Sequence, residues 1–447
     1  MASEGSRSFL FLQGPTNYLF ADIARHLRSL GHTSHRINIC LGDEIFWRGS
    51  DAVSFRGRPE QWPGFIADFY REHAVTDLIL LGEQRAHHKI AIAQAHAMAI
   101  DVSVTDFGYL RPDWVILERN GLNSNSLFTR DPAQILRAAA NLPPVGGQVA
   151  YPHSGFNQAV WDMAFHLASW LWPWGYPHFK RHTLGHPALN YAATGLRLVC
   201  RGLERPRNAA VVNQLLNAAS YYVFAMQMED DFSLRAYSHY RDLDGAIRDA
   251  VQSFATHAPL NSQLLFKLHP LDPGLKRWRR RIAAIAETFG VQERVQFMDG
   301  GDLDLLILGS TGFLSVNSTS GLRALELACP TLALGQAIYR IKGLAFDGGL
   351  DAFWARAKPP EPDLLDAFLR LLAASLHVRG GMYSKDAIAA AASGMAYRLH
   401  HGLVNQPLAQ VLLGESLHIP DASEATETRR QARPTGTTSQ TPVAGEN

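Results

Sequence analysis

Short apolar runs alternate with helix-spaced segments through most of this 447-residue chain, and this alternation is what most limits its fold. Repeated strand, turn and helix units pair their strands in parallel through right-handed crossovers. We therefore predict two doubly wound α/β sheets. The predicted strands are 8–12, 33–40, 78–81, 100–104, 221–226, 263–268, 295–298, 312–316 and 331–334. The predicted helices are 17–30, 59–73, 85–99, 209–218, 244–257, 274–289, 302–308 and 321–329.

The chain is too long for one ordinary core, so we expect two Rossmann-type domains facing a cleft, which is a GT-B-like architecture. The N-terminal, acceptor-side domain spans 1–204 and includes a mainly helical insertion over about 125–204. The second domain spans 205–385, and helices over 386–419 pack back. The segment 420–447 is rich in Ala, Ser, Thr, Glu and Pro, a composition typical of a disordered tail.

Charge and cysteine content exclude several classes of protein. Lys plus Arg number 42 and Asp plus Glu number 41, a balance that gives no field for binding nucleic acid. Cys40, Cys200 and Cys329 are scattered without metal or redox spacing, as free thiols are in a reducing cytoplasm. We expect no signal peptide and no membrane-spanning helix, and hence a soluble or peripheral protein.

The first half places polar residues where its predicted strands end. The carboxyl ends of parallel strands meet at one edge of a sheet, and ligands bind there. The main stretch is 106–121, in which Asp106 could act as a nucleophile, Glu118 as a base and Arg111 as the partner of an anionic substrate. Alternatively, Asp106 caps a turn and Arg111 pairs with Asp113. The other candidate substrate-binding residues at this edge are Gly14, Asp43, Arg85 and His88.

Three segments of the second half follow strands in the same way. In the first segment, the amide of Gln227 and the carboxylates of Glu229 and Asp231 could bind ribose hydroxyls or orient a donor, or could form a solvated loop. Lys267, His269 and Pro270 end a strand where a phosphate could be neutralised. Hydroxyls and a glycine open the helix after strand 312–316, which suits phosphate binding or simple N-capping. The residues are Gln227, Glu229 and Asp231 in the first segment and Asn317, Ser318, Thr319, Ser320 and Gly321 in the last.

We predict no metal site. His178, His182 and His186 recur every fourth residue, but the prolines and glycine among them make a continuous helix doubtful. Asp302 and Asp304 form an Asp-x-Asp pair of the kind that holds metal in another glycosyltransferase class. Here both acids begin a helix, where the dipole favours negative charge.

Large aromatic residues crowd the insertion, beside Lys180 and Arg181. We expect them to pack the insertion against the first domain, and contact with a membrane interface is the alternative. They are Trp161, Phe165, Trp170, Trp172, Trp174, Tyr176 and Phe179.

Taken together, these segments resemble the capsular polysaccharide biosynthesis and export family of Gram-negative bacteria, in its single-module branch. The matching motifs run in family order from about Phe9 to Tyr383. They are Asp106-x-Gly108-Tyr109-Leu110-Arg111-Pro112-Asp113-Trp114, Leu117-Glu118, Gly121-x-Asn123, Gln227-x-Glu229-x-Asp231, Ser253-Phe254-Ala255, His257-Ala258-Pro259, Lys267-x-His269-Pro270-Leu271-Asp272-x-Gly274, Val316-Asn317-Ser318-Thr319, Gly335-x-Ala337-x-Tyr339, Gly343-Leu344 and Leu350-Asp351-Ala352-Phe353-Trp354. In related modules an acid can directly precede the glycine, whereas Phe107 does so here.

The resemblance implies a retaining β-Kdo transferase that uses CMP-Kdo to place the first Kdo on a phosphatidylglycerol-type lipid at the inner membrane face. It also implies a peripheral cytoplasmic location, no metal or other cofactor, and a second domain that holds CMP through the His-Pro and Ser-Thr segments. Other capsule synthesis and export proteins are possible partners.

Retention at the anomeric carbon requires two inversions, so the expected mechanism is double displacement through a carboxylate adduct. Asp106 is the expected nucleophile and Glu118 the expected base. Two other functions fit the same architecture. One is a non-catalytic export accessory that binds lipid-linked polysaccharide or the export machinery, and the other is a nucleotide-sugar epimerase.

Overall fold

The computed structural model describes residues 5–47, 49, 51–146, 151, 154–171, 173–179, 187–229 and 232–413. The predicted tail 420–447 lies outside these residues, as do Asp231, Trp172, Lys180, Arg181, His182 and His186.

The strands form two sheets. They are β1 (Ser8–Phe11), β2 (Thr33–Asn38), β3 (Ala52–Ser54), β4 (Asp77–Leu81), β5 (Asp101–Phe107), β6 (Trp114–Arg119), β7 (Ser220–Ala225), β8 (Ser262–Lys267), β9 (Val295–Met298), β10 (Gly312–Ser315), β11 (Thr331–Ala333) and β12 (His377–Arg379). The first sheet has the order β12-β6-β5-β4-β1-β2-β3, and the second has the order β11-β10-β7-β8-β9. Every pairing in the second sheet is parallel, as the sequence predicts.

The helices that cover and connect these sheets are α1 (Leu19–Ser29), α2 (Leu41–Ile45), α3 (Trp62–Glu72), α4 (Ala86–Ala97), α5 (Pro132–Ala139), α6 (Gly155–Leu171), α7 (Pro187–Cys200), α8 (Arg205–Asn217), α9 (Phe232–Ala236), α10 (Leu243–His257), α11 (Trp278–Thr288), α12 (Leu303–Leu308), α13 (Ser320–Glu326), α14 (Leu350–Arg356), α15 (Pro362–Leu376), α16 (Lys385–His400) and α17 (Ala409–Leu412). The two α/β units confirm the predicted GT-B-like, two-domain fold with a helical insertion.

The first sheet is buried on both faces, which explains the continuous apolar runs of its strands. Successive side chains of a strand point to opposite faces. Leu10 of β1 therefore belongs to one core cluster with Ile37 and Leu78. Phe9 and Phe11 belong to the other, which includes residues of α1 and α16.

β5 and β6 form an antiparallel hairpin, whereas the sequence predicted parallel strands only. The connection over residues 108–113 is too short for a crossover, which takes about a dozen residues. Gly108 lies in this turn, where an added Cβ would stand 2.5 Å from the carbonyl oxygen of Trp114. The predicted loop carrying Asp106 and Glu118 is therefore a pair of strands, and each carboxylate belongs to one of them.

The first sheet is completed by a strand from near the end of the chain. β12 pairs antiparallel with β6, and α15 packs on α5 in the first domain. The chain therefore returns to the first domain by residue 362, earlier than the predicted boundary at residue 385. This strand was not predictable from the sequence, because a three-residue strand after a long helix has no distinctive pattern.

The insertion is only partly packed. Trp161 and Phe165 are half-buried, and Tyr176 is buried. Trp170 and Trp174 are 52% and 82% exposed, so the expectation that the aromatics pack against the first domain is wrong for these two. Among the described residues, no helix has the length and apolarity needed to cross a membrane.

Arg398 of α16 is fully buried and holds the returning segment in place. Its guanidinium donates hydrogen bonds to carbonyl oxygens on three sides. The acceptors are Ala374, Ser375, His377, Leu403 and Gln406.

Replacing Arg398 with Met should lower the free energy of unfolding by about 3 kcal/mol or more, because several buried carbonyls would lose their donor together. Urea denaturation measures the change. The matched variant Arg25→Met removes an exposed i,i+3 pair with Asp22 and should change stability by less than about 0.5 kcal/mol. Equal losses in the two variants would contradict this role for Arg398.

Candidate functional site

Four polar side chains from different strand ends of the first sheet lie close together. Arg85 donates a hydrogen bond to Gln13 Oε1 at 2.7 Å, and Gln13 Nε2 donates to Asp43 Oδ1 at 3.2 Å. Burial lowers the pKa of Arg85, and the nearby carboxylates of Asp43 and Asp106 act in the opposite direction. The structure therefore brings Asp43, Arg85 and Asp106 together, as their positions after predicted strands suggested.

An ion pair within the protein neutralises part of the charge of this cluster. Asp43 forms a buried ion pair with Arg36 at 3.2 Å, and its Oδ2 accepts a hydrogen bond from the Ile39 amide. Asp43 thus stabilises the loop after β2, while Asp106 is half-buried at the end of β5 and accepts from the Phe107 amide at 2.7 Å. Of these two acids, Asp106 is the more accessible.

Gly14 and His88 shape the loops around this cluster. A Cβ on Gly14 would stand 2.6 Å from the Phe20 ring, so the glycine permits close packing there. His88 is buried, and its Nδ1 lies 2.7 Å from the carbonyl oxygen of Gly82. These contacts give both residues a role in loop geometry.

Glu118 is completely buried in β6, on the same sheet face as Asp106. Glu118 lies opposite Val104, and Asp106 lies opposite Ile116, so the two acids are diagonal neighbours about 7–8 Å apart along the hairpin. Glu118 Oε1 accepts from the Ser126 hydroxyl and from the Leu127 amide, while Oε2 has no hydrogen-bond partner among the described residues. Burial raises the pKa of Glu118 to about 8, so its carboxyl is mostly protonated at neutral pH.

Tyr109, in the hairpin turn, lies close to both acids and to Glu83. Its phenol is buried, which raises its pKa, and Glu118, Asp106 and Glu83 each raise it further. The Asn123 amide donates to the Tyr109 hydroxyl at 3.0 Å. Three carboxyl groups therefore lie near one buried phenol on this side of the site.

Arg111 does not pair with Asp113. Its guanidinium lies 5.6 Å from the centroid of the Phe107 ring, and its side chain is exposed. Asp113 instead accepts a hydrogen bond from the Tyr151 amide at 2.9 Å. Phe107 stacks on Tyr383 with centroids 5.9 Å apart. Arg111 is thus a long, exposed cation over the Phe107 ring at the hairpin turn, a position that suits an anionic ligand.

Glu83 joins the two domains. Its Oε1 accepts from the Leu122 amide at 3.0 Å, from Asn125 Nδ2 at 3.2 Å, and from the hydroxyl of Tyr237 in the second domain. The Tyr237 carbonyl oxygen in turn accepts from Asn317 Nδ2 at 3.2 Å. Glu83, whose charge acts on Tyr109 and Glu118 of the hairpin, is therefore hydrogen-bonded to Tyr237, and the backbone of Tyr237 contacts the predicted phosphate segment.

The segment 317–321 is held from several sides. The Asn317 amide donates to Gln227 Oε1 at 2.8 Å, and both residues are buried. The Ser318 hydroxyl lies 2.5 Å from that of Ser320 and accepts from the Ser320 amide, which forms a local turn. Thr319 is the N-cap of α13 but makes no capping bond through its side chain. A Cβ on Gly321 would overlap the Tyr339 hydroxyl, so only glycine fits there.

Lys267 ends β8 in a cationic environment that includes the insertion. Burial lowers the pKa of Lys267, and Arg201 lowers it further while Asp299 raises it. Arg197 of α7 pairs with Asp299 and donates to the carbonyl oxygens of His269 and Pro270. This grouping of cations at a strand end suits a phosphate.

His269 and Pro270 lie in the turn that follows β8. His269 Nδ1 accepts from the Leu271 amide at 3.1 Å, and Pro270 is exposed. Glu229 forms an ion pair with Lys276. Asp302 caps α12 through the Asp304 amide, and Asp304 pairs with Arg323 at 2.7 Å. Among the described residues, no group of three or more His, Cys, Asp or Glu is arranged to hold a metal.

Sequence reasoning missed Glu83, Tyr237, Arg197 and Arg201. Glu83 lies in a polar strand-end segment, but nothing in the sequence distinguished it from Gln84 beside it. Tyr237 follows a short helix, and the two arginines lie in a helical insertion with no recognised motif. Their proximity depends on how the insertion and the two domains pack.

The fold and these polar strand ends define a two-domain α/β protein with a candidate site where the domains meet. The chain belongs to the capsule polysaccharide biosynthesis protein family, whose model matches residues 76–383. This membership agrees with the resemblance of its motifs.

Two curated relatives match most of the chain. It is 27% identical over 381 residues to the capsule polysaccharide export protein KpsS of Escherichia coli, covering 84% of this chain and 97% of that protein. It is 26% identical to the capsule polysaccharide modification protein LipB of Neisseria meningitidis serogroup B, covering 86% of this chain and 93% of that protein.

Among solved structures, the β-Kdo 2,7 transferase of Thermosulfurimonas dismutans KpsC aligns with a TM-score of 0.40 at 12% identity. The alignment covers 80% of this chain and 88% of that one.

Replacing Tyr237 with Phe should lower the free energy of unfolding by about 1–3 kcal/mol, because Glu83 would lose a buried donor between the domains. Urea denaturation measures the loss. Tyr397→Phe is the control, since the described part of the chain gives the Tyr397 hydroxyl no hydrogen bond, and it should change stability by less than about 0.5 kcal/mol. Equal effects would show that Tyr237 contributes no bond across the domains.

The raised pKa of Glu118 predicts a pH dependence of stability. Between the ordinary pKa of 4.5 and about 8, the unfolded chain releases the Glu118 proton while the folded chain keeps it. Stability from this group therefore falls as pH rises, by up to about 1.4 kcal/mol per pH unit. Urea denaturation at pH 5, 6.5 and 8 should show a shallower fall in Glu118→Gln than in wild type. The exposed-site control Glu287→Gln should follow wild type. Parallel curves for wild type and Glu118→Gln would contradict the assignment.

Proposed function

We propose that this protein is a retaining glycosyltransferase that moves Kdo from CMP-Kdo to a phosphatidylglycerol-type lipid and so begins the capsular polysaccharide linker. The observation that supports the proposal is the pair of hydrogen bonds by which Tyr237 contacts both Glu83 and Asn317. Because Glu83 lies near Tyr109 and Glu118, these contacts bring an acidic hairpin and a segment of strand-end hydroxyls to the same region of the protein. Such a juxtaposition suits transfer from a nucleotide-activated sugar, because the nucleotide phosphate and the reacting carbon must be held together.

Asp106 and Glu118 of the acidic hairpin supply the groups that react with the sugar and the acceptor. A carboxylate oxygen of Asp106 bonds to the anomeric carbon as the bond from that carbon to the phosphate oxygen breaks, and CMP leaves with the electron pair. The acceptor hydroxyl then attacks the same carbon, its proton passes to Glu118, and the Asp106 carboxylate is released. Two inversions give net retention. Because a base acts best when its pKa lies near the working pH, the raised pKa of Glu118 suits this role.

The remaining contacts position the substrates. Lys267 and Arg201 would neutralise the departing phosphate together with the Ser318 to Gly321 segment, and Arg111 would pair with the sugar carboxylate. His269 would act through the shape of its turn. CMP is a stable leaving group, so the reaction needs no metal and no strong general acid.

The test supplies purified protein with CMP-Kdo and a lysophosphatidylglycerol acceptor and measures both CMP and glycosylated lipid. Asp106→Asn should lose at least about 10³-fold in rate, as expected when a nucleophile is removed. Glu118→Gln should lose about 10²–10⁴-fold and should also lose the rise in rate between pH 6.5 and 8.5. Circular dichroism and thermal unfolding check that each variant is folded.

A folded wild-type protein that forms neither product overturns the proposal. Asp106→Asn with full activity removes only the nucleophile assignment. Calorimetric titration with CMP separates the enzyme from an export accessory, because an accessory shows no saturable binding. Product formed from CMP-Kdo without acceptor would favour the epimerase reaction.

A further inference from the structure

One face of α6 is apolar and exposed along its whole length. Its residues recur at helical spacing of four, three, four and three, so they form one stripe. Phe156 is 78% exposed and Leu167 is 53% exposed, and the other members are also exposed. The stripe consists of Phe156, Val160, Met163, Leu167 and Trp170. A helix on a water-soluble surface normally turns such a stripe toward the core.

The opposite face of α6 is fixed to the protein. Asn157 Nδ2 donates to the Tyr383 carbonyl oxygen at 3.0 Å, and Thr16 donates to Asp162. Ser169 Oγ accepts from the Gly42 amide at 3.2 Å, and the ring of Phe165 covers Gly42. The inward face thus carries the hydrogen bonds, and these contacts hold the apolar stripe outward.

Neighbouring elements continue the apolar surface. Trp174, just after α6, is 82% exposed. His166 of α6 contacts Tyr191 of α7, with ring centroids 6.1 Å apart. The segment 187–217 also exposes Leu189, Leu196, Val199, Leu203 and Leu216. Contiguous exposed apolar patches of this kind mark an interaction surface.

The charge of the insertion favours an anionic lipid surface as the partner. Residues 151–217 contain the bases Lys180, Arg181, Arg197, Arg201, Arg205 and Arg207 and the acids Asp162 and Glu204. Six bases and two acids give +4 in this segment, whereas the whole chain carries +1. Arg197 pairs with Asp299, Arg207 pairs with Glu204 and Arg201 acts on Lys267, which leaves Lys180, Arg181 and Arg205 to supply charge for an anionic surface. Asp162 lies on the inward face of α6, where it accepts a hydrogen bond from Thr16, so the stripe carries no acid.

The side chains of the stripe suit a lipid surface, because Phe, Val, Met and Leu require no hydrogen-bonding partner among acyl chains. Tryptophans such as Trp170 and Trp174 favour the boundary between headgroups and acyl chains. A helix that is apolar on one face and rich in nearby basic residues typically lies in that boundary without spanning the bilayer.

We propose that the outward stripe of α6, with Trp174, inserts into the surface of an anionic phospholipid bilayer. Trp161 on the inward side contacts Tyr383 at 6.4 Å, and Tyr383 stacks on Phe107 beside Asp106. The bilayer surface would therefore lie next to the acceptor side of the site. That this proximity serves glycosyl transfer rests on the proposed function. Membrane binding itself is measured separately from transfer.

The test is co-sedimentation of the full chain with vesicles of phosphatidylcholine alone or of phosphatidylcholine with phosphatidylglycerol. Wild type should bind the anionic vesicles at least about tenfold more tightly, and added salt should weaken that binding. The variant Phe156→Ser, Met163→Ser, Leu167→Ser should lose at least about tenfold in binding. The matched variant Leu260→Ser, Leu305→Ser, Leu308→Ser changes exposed leucines of the second domain and should bind as wild type does.

No binding by wild type, or equal binding by the two triple variants, overturns the inference. Sedimentation velocity without lipid provides a second readout. A wild-type dimer that becomes a monomer only in the α6 variant would assign the stripe to self-association and would also overturn it. Vesicle binding by a wild-type protein that transfers no Kdo, even to a soluble short-chain acceptor, would contradict the proposed function and leave the membrane surface supported.

Discussion

The buried carboxylate of Glu83 is the interaction on which the candidate site depends. It accepts the Leu122 amide and the Asn125 side chain from its own domain and the Tyr237 hydroxyl from the other. All three donors reach Oε1, while Oε2 has no hydrogen-bond partner among the described residues. Because a buried carboxylate is costly without hydrogen bonds, the Tyr237 donor favours the arrangement in which the two domains meet here. That arrangement places the acidic hairpin and the 317–321 segment on the two sides of the candidate site.

The same burial determines the electrostatics of the hairpin. Glu118 is kept from water and therefore tends to hold its proton, whereas Asp106, two positions along the same face, lies at the rim. Two carboxyl groups in one hairpin thus have different surroundings, which is how one site can hold a proton acceptor and an anionic nucleophile together. The charge of Asp106 acts on Arg85 within the protein, while Arg111 lies at the surface over the ring of the neighbouring Phe107.

Much of the fold is predictable from local pattern because strand and helix periods are written into the sequence. The parallel strands lie close to their predicted positions, except for β3, a three-residue edge strand that was not predicted. The strand-end acids Asp43 and Asp106 do come together. What could not be predicted depends on partners distant in sequence. The antiparallel return of β6, the addition of β12 and the pairing of Glu83 with Tyr237 are set by tertiary packing. Likewise, the spacing of Trp170 and Trp174 does not show which face of the insertion packs against the rest of the protein.

The placement of β12 has a consequence for the order in which the molecule is made. A chain emerges from the ribosome from its N-terminus, and domains generally fold as units during synthesis. Here the first sheet takes its last strand from residues 377–379, and α16 covers α1. The domain that begins first is therefore finished last. The second domain is entirely made while the edge of β6 still lacks its neighbour, so during synthesis that edge is an open site for pairing with other strands.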